Sequence, residues 1–298
     1  MIRKDMFLAL IIIVAWGFNF IVMRWGLDEL TPMMLGGLRF LVIGLIGCFF
    51  FSRPNTPLLW CIGYALALNF GQFAFLFSAM SFGMPAGLAS LVLQSQAIFT
   101  LLFAVLLLKE TVRPYQILAI GIAIGGLAVI GLDNDDTTMT ALGFGLTLAA
   151  GSSWALGNIF TKTISRRGYD ANLNLIVWSS WVPPVPFFLC AYFIDGGDVM
   201  WSNIVGLNIK SIATLAYLSL FATLAGYGLW SYLLSRYPAA TVAPLTLGVP
   251  VVGLTSAEVF LSETVSMMQW WGIFIVLLGL MLNTFGGRWL KKVNKQPT

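Results

Sequence analysis

The chain has 298 residues, 59% of them hydrophobic, with 16 Lys and Arg against 12 Asp and Glu. Only 9% is charged, where an ordinary soluble domain carries roughly 25%, and this excludes a water-soluble globule. The absence of histidine excludes His-ligated metals, haem, and Ser/His/Asp or Cys/His nucleophile systems.

Near-continuous apolar runs, rather than strict alternation, predict an all-α integral membrane protein. Ten spans are expected at residues 6–26, 31–51, 58–81, 86–108, 114–132, 141–162, 173–194, 209–233, 240–261 and 268–287. Ten helices of about 20 residues take about 200 positions and leave no room for a soluble catalytic or receptor domain. The first span follows Arg3 and Lys4 but is too long for a signal peptide and lacks a small-residue cleavage site, so it reads as a retained helix. Thr31-Pro32, Arg53-Pro54-Asn55, Pro85, Arg113-Pro114, Asp133-Asn134-Asp135, Gly196-Gly197 and Pro238 punctuate the runs. Gly121 and Gly125, at GxxxG spacing in the nearly non-polar fifth span, predict close helix packing within the chain or in a dimer; a monomer is sufficient for the reading below. Cys48, Cys61 and Cys190 lie in apolar runs without CxxC spacing and read as small buried residues.

The net charge of +4 reflects topology rather than a nucleic-acid partner. Arg3, Lys4, Arg53, Lys109, Arg113, Lys162, Arg166, Arg167, Arg236, Arg288, Lys291, Lys292 and Lys295 fall on one side of the ten spans. Lys210 falls on the other, with Arg24 at a helix end. Positively charged short loops stay cytoplasmic, so both termini are expected inside and the number of spans even.

A shift of 153 residues lays Lys109-Glu110-Thr111-Val112 on Ser262-Glu263-Thr264-Val265, Pro85-Ala86 on Pro238-Ala239, Gln116 on Gln269 and Gly126 on Gly279. A shift of 138 lays Trp16 on Trp154 and Arg24 on Lys162, and brings Asn19 beside Asn158. The longer region from Asp195 to Lys210 absorbs the difference. The chain therefore reads as two five-helix units, 1–132 and 141–298. Five being odd, the units are inverted, and in transporters of that design the substrate site lies at the repeat interface.

The tandem five-plus-five pattern, Trp16-Gly17-Phe18-Asn19-Phe20, Leu38-Arg39-Phe40 and Lys109-Glu110 resemble the EamA family of the drug/metabolite transporter superfamily. Gln72 to Phe77, Phe82 to Gln94 and Ala149 to Phe160 strengthen the likeness, which runs nearly end to end. The resemblance implies efflux of small amino-acid metabolites such as cysteine or O-acetylserine across a bacterial inner membrane.

Polar residues within spans are the candidates for recognition, since hydrocarbon penalises them unless they face a partner helix or a wet cavity. Asn69 with Gln72, and Ser90 with Gln94, form helical stripes, while Gln96 points elsewhere. Their neutral groups can bind a zwitterion or merely bond helices together. Trp16 with Asn19 and Trp154 with Asn158 occupy comparable places in the two units, where the indole faces either shape the cavity and attract an ammonium by cation–π contact or pack in the core; Tyr227 and Trp230, three apart on the eighth span, are expected to form the opposing wall. Pro244 and Pro250 make the ninth span a candidate hinge, with Thr246 and a freed carbonyl on one face; Pro183, Pro184 and Pro186 interrupt the seventh.

Arg39 either binds a substrate carboxylate or pins the second span to a carbonyl or to Asp28 or Glu29, and the pinning role is favoured. Glu258, the acid deep within a span, is the candidate for proton coupling, whereas Glu110 and Glu263 read as helix-end caps or gate contacts. The expected protein is a secondary-active exporter working by alternating access among membrane lipids, without a cofactor. The alternatives are an exporter of other small amphipathic compounds or drugs and, more remotely, an intramembrane lipid-modifying enzyme.

Overall fold

The computed structural model describes residues 1–133 and 139–293. Asn134 and Asp135 of the expected turn, and Lys295 of the basic tail, lie outside the described residues. Among the described residues the regular structure is all helical. In chain order the long helices are α1 (Arg3–Leu27), α2 (Pro32–Gly47), α3 (Leu58–Ser81), α4 (Ala86–Leu108), α5 (Pro114–Gly131), α6 (Ala141–Arg166), α7 (Leu173–Asp195), α8 (Ile209–Arg236), α9 (239–261) and α10 (Met267–Val293). A short helix, Gly197–Val205, lies between α7 and α8, set off by Gly196 at a φ of 91°, where a side chain would be strained. Eight helices among the described residues are long and apolar enough to cross a membrane. α2 is apolar but has only 16 residues, and α6 carries Ser152, Ser153, Asn158 and Lys162 along its length.

The helix ends follow from local chemistry. Pro32 and Pro114 open α2 and α5, where a missing N–H costs nothing. Asn172 caps α7, and Asn208 accepts from the N–H groups of Lys210 and Ser211 to start α8. α4 and α9 end alike, at left-handed Lys109 and Ser262; the next N–H, of Glu110 or Glu263, donates to the carbonyl of Ala104 or Ala257.

Among the described residues five helices depart from regular α geometry, and four of them pair by kind, one in each half of the chain. α3 widens into a π-turn over Ala65–Gly71, as α8 does over Tyr217–Ala225. α4 tightens to a 3₁₀ turn over Leu93–Ser95, as α9 does over Ala243–Leu247. α7 breaks between Ser179 and Pro184 beside its prolines.

Large apolar side chains cover the outside. Phe49 is 83% exposed, Phe193 79% and Ile209 82%. Water would not tolerate such a surface and lipid requires it. Inside, α5 packs along α10, α1 along α8 and α9, α4 along α6 and α9, α3 along α6, and α2 along α7. Glycine permits the tightest crossings: a Cβ on Gly126 would stand 2.6 Å from the Val276 nitrogen, and one on Gly36 2.4 Å from Phe187. Within the chain, Gly121 and Gly125 do not serve this purpose, since nothing lies within 4 Å of a Cβ built on either. The contact falls to Gly126, a position further round the helix.

Loop contacts join alternate connections along the chain, in two sets. One joins Asn55 to Asp170, Glu110 to Lys162 and Arg166, and Asp5 to Tyr237. The other joins Glu29 to Asn208 and Lys210, Thr140 to Phe82, and Glu263 to the start of α4.

Candidate functional site

A cavity of about 380 Å³ opens among the helices, of a size that suits a small metabolite. Of the residues expected to bind substrate, Trp16, Asn19, Gln72, Ser90, Gln94, Trp154, Asn158, Tyr227, Trp230 and Thr246 all line it, and so does Arg39. Asn69 does not. It is 3% exposed and donates from Nδ2 to Ser179 Oγ at 3.0 Å, tying α3 to the break in α7. Glu258 is exposed on α9 and lies outside the lining.

Gln96 does line the cavity, contrary to its expected direction. The 3₁₀ turn before it explains this: three residues at about 120° rather than 100° each advance the following side chain by about 60° around the helix. Gln96 Oε1 then accepts from Asn158 Nδ2 at 2.9 Å, while Asn158 also reaches Thr100 Oγ1 at 3.1 Å. Tyr64 and Phe73 complete the wall; as ordinary aromatic residues in an apolar span they gave no distinguishing signal.

Trp16 Nε1 donates to the Ala222 carbonyl at 2.9 Å, and its ring lies 5.2 Å from Tyr227 and 5.4 Å from Trp230. The three rings make an aromatic corner between α1 and α8. On α9, Pro244 lies in the 3₁₀ segment and Pro250 in the helix that follows. Having no N–H, Pro250 withholds the α-helical donor from the Thr246 carbonyl, to which Gln94 Nε2 donates at 3.5 Å. A proline effect on α9 thus positions an amide of α4.

Arg39 is 3% exposed. Its Nη2 donates to Thr223 Oγ1 at 3.1 Å, and its guanidinium lies 4.2 Å from the centre of the Phe73 ring. It is not pinned to the loop acids: Asp28 faces Arg24 at 3.5 Å, and Glu29 faces Lys210 at 2.9 Å.

The two gate candidates differ. Glu263 accepts at both oxygens, from the N–H groups of Ala86 at 2.7 Å and Gly87 at 2.9 Å, and so fastens the end of α9 to the start of α4. Glu110 instead pairs with Lys162 at 2.6 Å and with Arg166. The Lys162 hydrogen bond, followed by the charges of Lys162 and Arg166, holds its carboxyl below the ordinary range. The cavity extends toward Asn172, Ser231 and Leu234, near the start of α7 and the end of α8.

Asp5 escaped the sequence reading because it precedes the expected first span. It is fully buried, accepts from Tyr237 Oη at 2.7 Å, and has Arg236 at 3.9 Å. Among the described residues no group of three or more His, Cys, Asp and Glu is placed to hold a metal.

The sequence profile of the EamA-like transporter family matches residues 3–132 and 141–285. A protein of Escherichia coli (strain K12) named "Probable amino-acid metabolite efflux pump" is 45% identical over 295 residues, covering 98% of this chain and 99% of its own. Its namesake in Salmonella typhimurium (strain LT2) is 46% identical over 292 residues, covering 97% of each. A crystal structure of an 18% identical protein superposes with a TM-score of 0.64, covering 98% of this chain and 100% of its own, and so shares the fold. On these matches the chain belongs to the EamA-like transporter family and is a multi-pass membrane transporter, not an enzyme.

Proposed function

We propose that the protein is a secondary-active exporter of small amino-acid metabolites, cysteine, O-acetylserine or a close analogue, in a bacterial cytoplasmic membrane. The observation that carries this reading is the cavity, lined by amides and aromatic rings in a chain so similar to proteins named as metabolite efflux pumps. Gln72, Gln94, Gln96, Asn19 and Asn158 can donate to a carboxylate and accept from an ammonium, and such hydrogen bonds are weak enough to release cargo. The rings of Trp16, Tyr227 and Trp230 suit the ammonium or a short apolar side chain. The same rings support a second reading, export of other small amphipathic compounds.

In our reading α2 and α6 complete ten spans, arranged as two inverted five-helix units, with both termini cytoplasmic. The helix contacts support this. Exchanging the units turns the α1–α9 contact into α6–α4 and α3–α6 into α8–α1, and it returns α2–α7 and α5–α10 to themselves. The matched closures at Lys109 and Ser262, and the paired π and 3₁₀ turns, obey the same exchange. Each loop contact joins segments that this arrangement puts on the same side, Asn55 with Asp170 and Glu110 with Lys162 on one, Glu29 with Lys210 and Glu263 with Ala86 on the other.

The gates then work in opposition. The end fastened by Glu263 faces outward, the cavity opens inward near Asn172, and cargo loads from the cytoplasm. In the outward-open state Glu263 leaves Ala86 and Gly87, while Glu110, its repeat counterpart, leaves Lys162 and Arg166 for the start of α9. Counterflow tests the carrier mechanism. Unlabelled cysteine on the far side of a proteoliposome is expected to accelerate exchange of labelled cysteine; a leak with no such acceleration would refute alternating access.

A further inference from the structure

The cavity wall holds two buried polar groups of opposite character whose hydrogen-bonding capacity the protein does not meet. Arg39 Nε and Nη1 have no partner, and Asn19 Oδ1 has none. Nη2 of Arg39 meets a neutral hydroxyl, Thr223 Oγ1 at 3.1 Å, and no carboxylate among the described residues pairs with the guanidinium. A permanent cation at this depth with one neutral acceptor is an incomplete arrangement, because burial of a charge is costly until a counter-charge and further acceptors satisfy it. Asn19 has only a weak contact of its own, from Nδ2 to Met23 Sδ at 3.7 Å, and its acceptor oxygen is left over.

Both groups line the same cavity, and the π-turn of α8 ties together the helices that carry them. Trp16 and Arg39 are tethered to consecutive residues of it, through the Ala222 carbonyl and the Thr223 hydroxyl, and Asn19 lies one turn beyond Trp16 on α1. A second bond, from Ser219 Oγ to the Arg39 carbonyl at 3.0 Å, holds α2 against that turn.

We propose that Arg39 and Asn19 are the two poles of an amino-acid site: the guanidinium takes the α-carboxylate of the cargo and Asn19 Oδ1 its α-ammonium. This rests on the export reading and narrows its cargo to molecules with both groups free. Nη2 of Arg39 carries two hydrogens, so beside its bond to Thr223 it still forms a planar donor edge for a carboxylate with one of the two unmatched nitrogens, while the Phe73 ring backs the guanidinium face. The Thr223 hydroxyl, itself donating to the Leu218 carbonyl at 2.9 Å, keeps the cation in place between transport cycles without competing as an anion would.

Thermal unfolding of the purified full chain in detergent tests this, because a ligand raises the unfolding temperature in proportion to the logarithm of its concentration over Kd. The probes are cysteine, cysteamine, which lacks the carboxylate, and 3-mercaptopropionate, which lacks the ammonium. Wild-type protein is expected to bind cysteine about tenfold or more tightly than either analogue. Arg39→Gln is expected to lower cysteine affinity to that for cysteamine while leaving cysteamine binding unchanged, a selective loss that a packing role would not produce. Arg39→Lys is expected to keep part of the preference for cysteine. Folded Arg39→Gln protein that binds cysteine like wild type overturns the assignment. Should that variant not fold, the wild-type comparison decides: cysteamine binding equal to that of cysteine overturns the two-pole site alone. Folded wild-type protein that binds neither cysteine nor O-acetylserine overturns the export reading itself.

Discussion

Trp16 illustrates how single contacts shape the site. Its indole N–H is committed to the Ala222 carbonyl, and a Cβ on Gly226 would lie 2.5 Å from that nitrogen. Gly226→Ala must push the ring off its partner. Overpacking of this kind costs about 1–3 kcal/mol, so the variant is expected to unfold at lower temperature and to bind cargo more weakly, as a melting curve with and without cysteine would reveal. Glu258, exposed and outside the cavity, invites the opposite expectation. Glu258→Gln should keep the pH profile of transport, and a flattened profile would restore its coupling role. Glu110 is held below its ordinary value of 4.5, first by its bond with Lys162. A carboxylate with a depressed folded pKa stabilises fully above its unfolded pKa, and that contribution fades as pH falls through the folded value. Melting temperatures of wild type and Glu110→Gln should therefore differ by a constant amount around neutral pH and converge only in acid.

The helices carry the conformational mechanism through their ends. Removing the Glu263 carboxylate leaves the Ala86 and Gly87 N–H groups uncapped, and loss of a cap costs about 0.5–2 kcal/mol. If the fastened state is inward-open, Glu263→Ala shifts the balance outward by roughly 2- to 30-fold. The labelling rate of a cysteine at Ser90 by an external impermeant maleimide, with Cys48, Cys61 and Cys190 replaced by Ser, should rise accordingly; an unchanged rate would remove Glu263 from gating. Helix positions were legible in the sequence because hydrocarbon demands long apolar runs, and observed ends lie within a few residues of those expected. Helix irregularities were not. Gln96 was misdirected because ideal spacing ignores the 3₁₀ turn at Leu93–Ser95. Asn69 shares a stripe with Gln72, yet the break in α7 offers it Ser179 instead of the cavity. Asp5 was missed because its burial depends on Tyr237, more than two hundred residues away.

At the scale of the whole molecule, the two halves of the chain interlock. α1 and α2 meet α8 and α7, α4 meets α6 and α9, and α5 lies along α10, so neither half closes the cavity alone. Such an arrangement suits the proposed rocking of packed bodies about a central site. The scarcity of charge that marks the composition acquires a use here: among the residues lining the cavity Arg39 alone is charged, so a ligand bearing one carboxylate meets one cation. The proposed export of small amino-acid metabolites runs through that cavity. Its most direct test is efflux from liposomes reconstituted with the purified protein and loaded with labelled cysteine or O-acetylserine. Saturable efflux of these compounds is the predicted result; folded, incorporated protein that gives no saturable flux of either would contradict the account.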